Sequence, residues 1–193
     1  MSDLALDPRT TALVVIDLQK GITSMPTKPH APDVVVANAG RLARAFRERG
    51  MPVFLVRVLR SPDTALQPVA DESMPVRPDL PSDWGEIVPE LGPVPSDIVI
   101  TKRQWGAFTG TELELRLRRG GRRTIVLAGI ATSYGVESTA RFAYELGFEQ
   151  VFAEDAISDR SAEAHEAAIK FVLRRLGRVR PTETILGALG PKP

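Results

Sequence analysis

The chain predicts an α/β fold: three layers, α/β/α, around a six-stranded, mostly parallel sheet of Rossmann-like plan. Three observations carry that prediction. Short apolar, β-branched runs alternate with segments of helical spacing. The runs are apolar at consecutive positions, as in parallel strands buried on both faces. No linker, repeat or low-complexity tract interrupts the 193 residues, so 1–193 reads as one domain, long enough to bury a sizeable core.

Taken in order, Thr11–Asp17 is the first strand, continuous and apolar up to its terminal carboxylate. Pro32-Asp33 opens a helix running to Arg49, with Val35, Ala39, Leu42, Ala43 and Phe46 at helical spacing and Gly50 as its stop. Pro52–Val58 is the second strand. Ser61 to Pro95 is rich in Pro, Asp and Ser and reads as a long loop with short pieces of structure. Loops of that length in a compact domain are uncommon and often functional. Asp97–Thr101 is the third strand, and Thr111–Arg119 a helix ended by Gly120-Gly121. Thr124–Ala128 is the fourth strand, followed by a helix from about Val136 to Leu146 that Gly147 stops. Gln150–Ala153 is the fifth strand. Ser161 caps a helix to Leu176, with Glu163 and Glu166 early in it, where carboxylates suit the dipole. Arg178–Arg180 is a short sixth strand, and Pro181 opens a final helix at its first turn.

Composition excludes several function classes. With 25 basic and 24 acidic residues the net charge is +1, which makes no case for nucleic acid or an anionic membrane as partner. No apolar run approaches the roughly 20 residues needed to span a bilayer. The segment Met1–Asp7 lacks the pattern of a secretory signal, so a cytoplasmic location is expected. The chain has no cysteine, hence no disulfide, no thiol nucleophile and no thiolate metal site. Its two histidines, His30 and His165, have no metal-ligand spacing; His165 is expected on a helix surface, and no metal or other cofactor is expected. The basic run from Arg116 to Arg123 reads as a solvated helix end.

Candidate chemistry sits at strand ends. Asp17 closes the first strand, Lys102 follows the third, and the turn Ala131–Gly135 follows the fourth. In open α/β sheets ligands bind outside the carboxyl ends of the strands. A carboxylate in that place is partly desolvated, which raises its pKa unless a cation compensates, and Lys102 can supply the cation. Read alone, the two residues are equally a structural ion pair, or Asp17 a helix cap.

Three segments go further: Ala12-Leu13-Val14-Val15-Ile16-Asp17-Leu18-Gln19, Ile98-Val99-Ile100-Thr101-Lys102-Arg103-Gln104-Trp105-Gly106-Ala107-Phe108, and Gly129-Ile130-Ala131-Thr132-Ser133-Tyr134-Gly135-Val136-Glu137-Ser138-Thr139-Ala140-Arg141. Together they resemble the isochorismatase-like hydrolases, also called cysteine hydrolases, over about Asp7 to Leu189. That resemblance implies an Asp, a Lys and a Cys at the three strand ends, here Asp17, Lys102 and, in the cysteine slot, Gly135. It implies a non-proline cis peptide between Ile130 and Ala131, with the N–H groups of Ala131 and Gly135 as an oxyanion site. It further implies a pocket formed by Gln19, Trp105, Phe108, Ile130, Ala131 and Tyr134, although core packing explains Trp105 and Phe108 as well. A small-molecule substrate and a homo-oligomer, dimer or tetramer, are implied too. The wording of the third segment looks especially similar to a cysteine-less subgroup. The nearby hydroxyls do not replace the thiol: Ser138 points away from the slot and Ser133 precedes the turn.

The resemblance implies one of three functions. Family members that cleave isochorismate also lack the cysteine and hydrolyse a vinyl ether, which needs no acyl-enzyme. In that reading a protonated Asp17 gives its proton to the vinyl carbon and water attacks the resulting cation. This chain departs from them at Ala131, where they have an aromatic residue, and no substrate-binding cation of the long loop matches; Arg57, Arg60 and Arg77 are the nearest. The second reading is an amidase-like enzyme that activates water on Asp17. The third is a silent ligand-binding relative on the same fold.

Overall fold

The computed structural model describes residues 4–61, 65–66, 68–72 and 79–191. Its centre is a six-stranded sheet in the order β3-β2-β1-β4-β5-β6, and every pairing is parallel. The middle strands are β1 (Thr11–Ile16) and β4 (Thr124–Ile130), flanked by β2 (Val53–Val58) and β5 (Glu149–Ser158). The outer strands are β3 (Ile98–Lys102) and β6 (Arg178–Arg180). All six residues of β1 and all seven of β4 are buried, as their unbroken apolar runs require.

Successive side chains of a strand go to opposite faces. Leu13 and Val15 join one core, while Ala12, Val14 and Ile16 join the other. The first core is closed by α2 (Pro32–Glu48), through Val35, Ala39, Leu42 and Phe46, and by Ile185 of α7 (Thr182–Ala188). The second is closed by Leu113 and Leu117 of α3 (Leu113–Arg119) and by Ala140 and Ala143 of α4 (Glu137–Glu145). Ile169 and Leu173 complete it from the wide helical turn Ala168–Leu173, which joins α5 (Ala162–Ala167) to α6 (Arg174–Leu176). This is the α/β/α sandwich expected. Among the described residues no helix is long and apolar enough to cross a membrane.

Several local expectations need correction. The sheet is wholly rather than mostly parallel. The stretch 162–176 is helical throughout but not one regular α-helix, because the wide turn interrupts it. Pro181 is the cap of α7 and not its first-turn residue. A short helix, α1 (Lys20–Thr23), follows β1 and was not foreseen. The fifth strand continues five residues past the expected Ala153. Asp155 is accommodated because its Oδ1 accepts from both the N–H and the hydroxyl of Thr182, at 2.7 and 2.6 Å. The pairing of β4 with β5 shifts register between Leu127 and Gly129, and the strands then run on to Ser158.

The long loop is strapped back onto the sheet. Residues 84–87 lie along α1: Lys20 N–H donates to Glu86 O and Gly21 N–H to Trp84 O, both at 2.9 Å, and Gln19 bridges to Ile87. Gly21 permits this approach, since a Cβ there would lie 2.0 Å from the Trp84 ring.

Candidate active site

Strand order reverses between β1 and β4, and the carboxyl ends of these two strands open a crevice. Asp17 is the first residue after β1. It adopts φ 54, the left-handed region that non-glycine residues seldom occupy. Gly129, paired with Ile16 at the end of β1, has φ 123, and a Cβ there would lie 2.0 Å from the carbonyl oxygen of Ile16. Only a glycine lets β4 pass that close to the end of β1. The Ile130–Ala131 peptide is cis.

Asp17, Lys102 and Gly135 meet here. Lys102 Nζ lies 2.8 Å from Asp17 Oδ2, and both side chains are buried. The same ammonium donates to the carbonyl of Trp105. Asp17 Oδ1 is buried and has no hydrogen-bond partner. Burial pushes the Asp17 carboxyl up to about 6, against the opposing charge and hydrogen bond of Lys102. A Cβ on Gly135 would lie 2.9 Å from Ile16 Cγ2, 3.1 Å from Lys102 Nζ and 3.3 Å from Asp17 Oδ2. The glycine therefore stands where a nucleophile side chain would project between the lysine and the carboxylate. With hydrogen there, the two close directly on each other.

The turn that carries Gly135 is wide, spanning Thr132–Val136, and leads into α4. It is pinned from beneath. Thr132 Oγ1 lies 2.8 Å from His165 Nδ1, and Ser133 N–H donates to Asp159 Oδ2 at 2.6 Å. The Thr139 hydroxyl donates to Gly135 O at 2.6 Å and accepts from Ala107 N–H at 3.0 Å, which ties the turn to the segment after β3. His165 was expected on the surface; it is 4% exposed, because α5 turns that face under the turn. Burial, and next the charge of His30, hold its imidazole below the ordinary histidine range. The two histidine rings lie edge to face with centroids 6.1 Å apart. No group of three or more His, Cys, Asp or Glu is placed to hold a metal among the described residues.

A cavity of about 880 Å³ opens above Asp17, Lys102 and Gly135. Ile130, Ala131, Trp105 and Tyr134 line it as expected; the Trp105 and Tyr134 rings meet edge to face with centroids 4.9 Å apart. Gln19 and Phe108 do not line it. Gln19 is wholly buried and engaged at both ends: its Oε1 accepts from Val58 N–H, and its Nε2 donates to Val58 O and Trp84 O. It fastens the long loop to the end of β2. Phe108 packs in the core against Phe148, with centroids 5.7 Å apart, which is the packing alternative for this residue. Neither Thr132, Ser133 nor Ser138 lines the cavity. Arg57 does not reach it and bonds Thr101 Oγ1 at 3.1 Å, whereas Arg60 does line it. Arg77 lies outside the described residues.

Three groups of lining residues were missed in the sequence. Lys20, Ile22 and Met25 come from α1 and the turn after it, and Leu80, Pro81 and Trp84 from the long loop. The pairing of small Gly21 with Trp84 is a signal visible only once the loop is known to return. Arg160 was missed because the fifth strand was ended too early. With that strand read to Ser158, Arg160 stands at its carboxyl end, where such residues are candidates by position.

This arrangement can hold a small molecule against a carboxyl group paired to an ammonium, with no side chain at the nucleophile position. Comparison with known proteins agrees with the fold. The family model described as the isochorismatase domain matches residues 11–184. An uncharacterised isochorismatase family protein, YecD of Escherichia coli O157:H7, is 55% identical over 96% of this chain and 100% of its own length. The ureidoacrylate amidohydrolase RutB of Pantoea ananatis is 31% identical, over 98% of this chain and 86% of its own. The solved structure of an isochorismatase family protein from Burkholderia thailandensis superposes with a TM-score of 0.91 at 45% identity, covering 97% of this chain and 98% of that one. The chain therefore belongs to the isochorismatase family of hydrolases.

Proposed function

We propose that this protein is a metal-independent hydrolase of a small cytoplasmic metabolite that works by acid–base chemistry on Asp17 and Lys102, and that its substrate is a vinyl ether. The observation that carries the reading is the division of labour between the two oxygens of Asp17. Oδ2 is held by Lys102, while Oδ1 is buried and unpartnered, and Asp17 is among the residues that line the cavity. A carboxyl raised to about 6 carries a proton near neutral pH more often than an ordinary aspartate. Oδ1 is the oxygen free to deliver it.

The steps balance without a covalent intermediate, which Gly135 could not form. The Asp17 proton goes to the terminal vinyl carbon, and an ether-oxygen lone pair forms the oxocarbenium ion. Water adds to the carbon bonded to the ether oxygen and returns a proton to Asp17. The hemiketal then breaks its C–O bond to give a carbonyl compound and an alcohol. Lys102 holds the carboxylate while it is charged and lowers the cost of that state.

The second reading, an amidase in which Asp17 activates water, is favoured by the likeness to the amidohydrolase RutB. The two differ in the protonation state they need. A vinyl-ether hydrolase using Asp17 as acid loses kcat/KM as pH rises through about 6, whereas an amidase using Asp17 as base gains it over the same interval. A panel of vinyl ethers, amides and N-carbamoyl compounds, assayed from about pH 5 to about pH 7 (roughly one unit either side of the half-ionised point), is the test. Asp17→Asn is expected to fold and to lose at least ~10²-fold in turnover. Near wild-type turnover in that variant refutes the assignment of Asp17, and a rising limb refutes the acid role.

A further inference from the structure

The turn after β4 has two sides. Ala131, Tyr134 and Gly135 line the cavity, while Thr132 and Ser133 bond to His165 and Asp159 behind it. Thr132 is wholly buried, and the contact with His165 Nδ1 is the one hydrogen bond of its hydroxyl among the described residues. That fixes the direction of the bond. If Nδ1 carried the ring proton, the buried hydroxyl proton of Thr132 would have no acceptor, at the full desolvation cost of a lone donor. Thr132 therefore donates, Nδ1 accepts, and Nε2 carries the proton of a neutral imidazole. The other titratable groups acting on the ring are His30, edge to face with it, and the carboxylates of Asp159, Glu154 and Glu166; none of them bonds the Thr132 hydroxyl.

His165 is itself on a fixed mount. Ser161 caps α5 by accepting from Ala164 N–H at 3.2 Å, and His165 N–H donates to Ser161 O at 3.1 Å. Three residues further along the turn, Gly135 has little room: a Cβ on it would lie 3.1 Å from Lys102 Nζ and 3.3 Å from Asp17 Oδ2. A small shift of the turn therefore changes how Gly135 sits against the pair. Two apolar side chains of the same shape would hold the fold about as well as a buried threonine–histidine pair. What the hydrogen bond adds is direction, which sets where Thr132, and with it the turn, comes to rest.

We infer that His165 is a positioning residue for the reaction: by accepting from the Thr132 hydroxyl it fixes the turn Thr132–Val136, and so the place of Gly135 beside Lys102 and Asp17. This rests on Asp17 and Lys102 being the reacting pair proposed above, and it is independent of which bond is cleaved.

The test reads the geometry without a substrate. Gly135→Cys puts a thiol beside Lys102, and its rate of alkylation by iodoacetamide at neutral pH reports how close that cation is. Adding His165→Leu, which fills the space without the acceptor, is expected to slow alkylation about tenfold, the effect of roughly one unit in thiol pKa. Adding His165→Asn, whose amide oxygen can take the place of Nδ1, is expected to restore most of the rate. Thr132→Val removes the same bond from the other end, keeps the β-branched shape and is expected to match His165→Leu, so the comparison survives if the leucine variant fails to fold. With Gly135 intact, and on the best substrate of the panel above, His165→Leu is expected to lose about tenfold in kcat with KM nearly unchanged, and His165→Asn to recover it. Gly147→Ala, a destabilising change just past the far end of α4, is expected to leave both rates unchanged. Equal alkylation with and without His165→Leu or Thr132→Val, or no more recovery with asparagine than with leucine, overturns the inference. So does an ordinary thiol in Gly135→Cys alone, since position 135 is then not beside the pair. Near wild-type turnover in Asp17→Asn refutes the proposed chemistry and leaves the alkylation differences standing, so the two ideas fail separately.

Discussion

Gly135 sets the character of the site by what it leaves out. Lys102 Nζ and Asp17 Oδ2 lie 2.8 Å apart beside it, with no side chain from position 135 between them. The pair gains little stability from burial, since desolvation offsets most of the attraction, which fits a role in chemistry better than a role in holding the fold. Asp17 also holds φ 54, a conformation that costs on the order of 1–3 kcal/mol. Gly135→Cys tests the slot directly. The new Cβ would be 2.9 Å from a methyl of Ile16, so that side chain must give by a few tenths of an ångström, and the sulfur would stand among Lys102 Nζ, Asp17 Oδ2 and the start of α4. The variant is expected to fold and its thiol to alkylate with iodoacetamide faster than a free thiol at neutral pH, because a cation and a helix start favour the thiolate. A thiol with an ordinary pKa near ~8.5 and ordinary reactivity would show that position 135 is not the nucleophile slot.

Among elements, β4 and the turn after it are under the tightest constraint. The strand must pass close to the end of β1 and then turn through Thr132–Val136 into α4. Gly129 meets the first demand, and the buried Thr132–His165 and Ser133–Asp159 hydrogen bonds meet the second. Gly129→Ala places a Cβ 2.0 Å from the Ile16 carbonyl at φ 123, so either β1 and β4 separate or the strand end distorts. A loss of roughly 3 kcal/mol or more is expected, read as a fall in the urea midpoint at constant slope. Gly147→Ala is the control: it also has positive φ, at 77, but no atom lies within 4 Å of its Cβ, so its cost is limited to the backbone term of about 1 kcal/mol. Equal effects at the two positions would mean that the close approach at Gly129 is not what requires a glycine.

At the scale of the whole molecule, the parallel sheet collects five strand ends, and the long loop roofs them through its contacts with α1 and Gln19. Chemistry drawn from a lysine and an aspartate needs no metal or thiol, and the chain has no cysteine. Activity is therefore expected to withstand both EDTA and iodoacetamide; activity lost in EDTA and restored by added metal would refute the metal-independent mechanism. The sandwich, its six strands and the three residues at the strand ends were all legible in the sequence. A parallel strand buried on both faces is marked by a continuous apolar run, and a charged or glycine residue directly after such a run is conspicuous. The burial of His165, the diversion of Gln19 and Phe108 away from the cavity, and the arrival of Trp84 and Arg160 within it were not legible. Each depends on which surface a helix, loop or strand end finally packs against, and local pattern is silent on contacts between residues such as Gln19 and Trp84, 65 positions apart. The sequence by itself determined the fold and placed Asp17 and Lys102 at neighbouring strand ends, because period and strand-end position are local properties. Only the tertiary structure decided the walls of the cavity, Trp84 and Arg160 among them, because those follow from long-range packing of segments that carry no periodic signal.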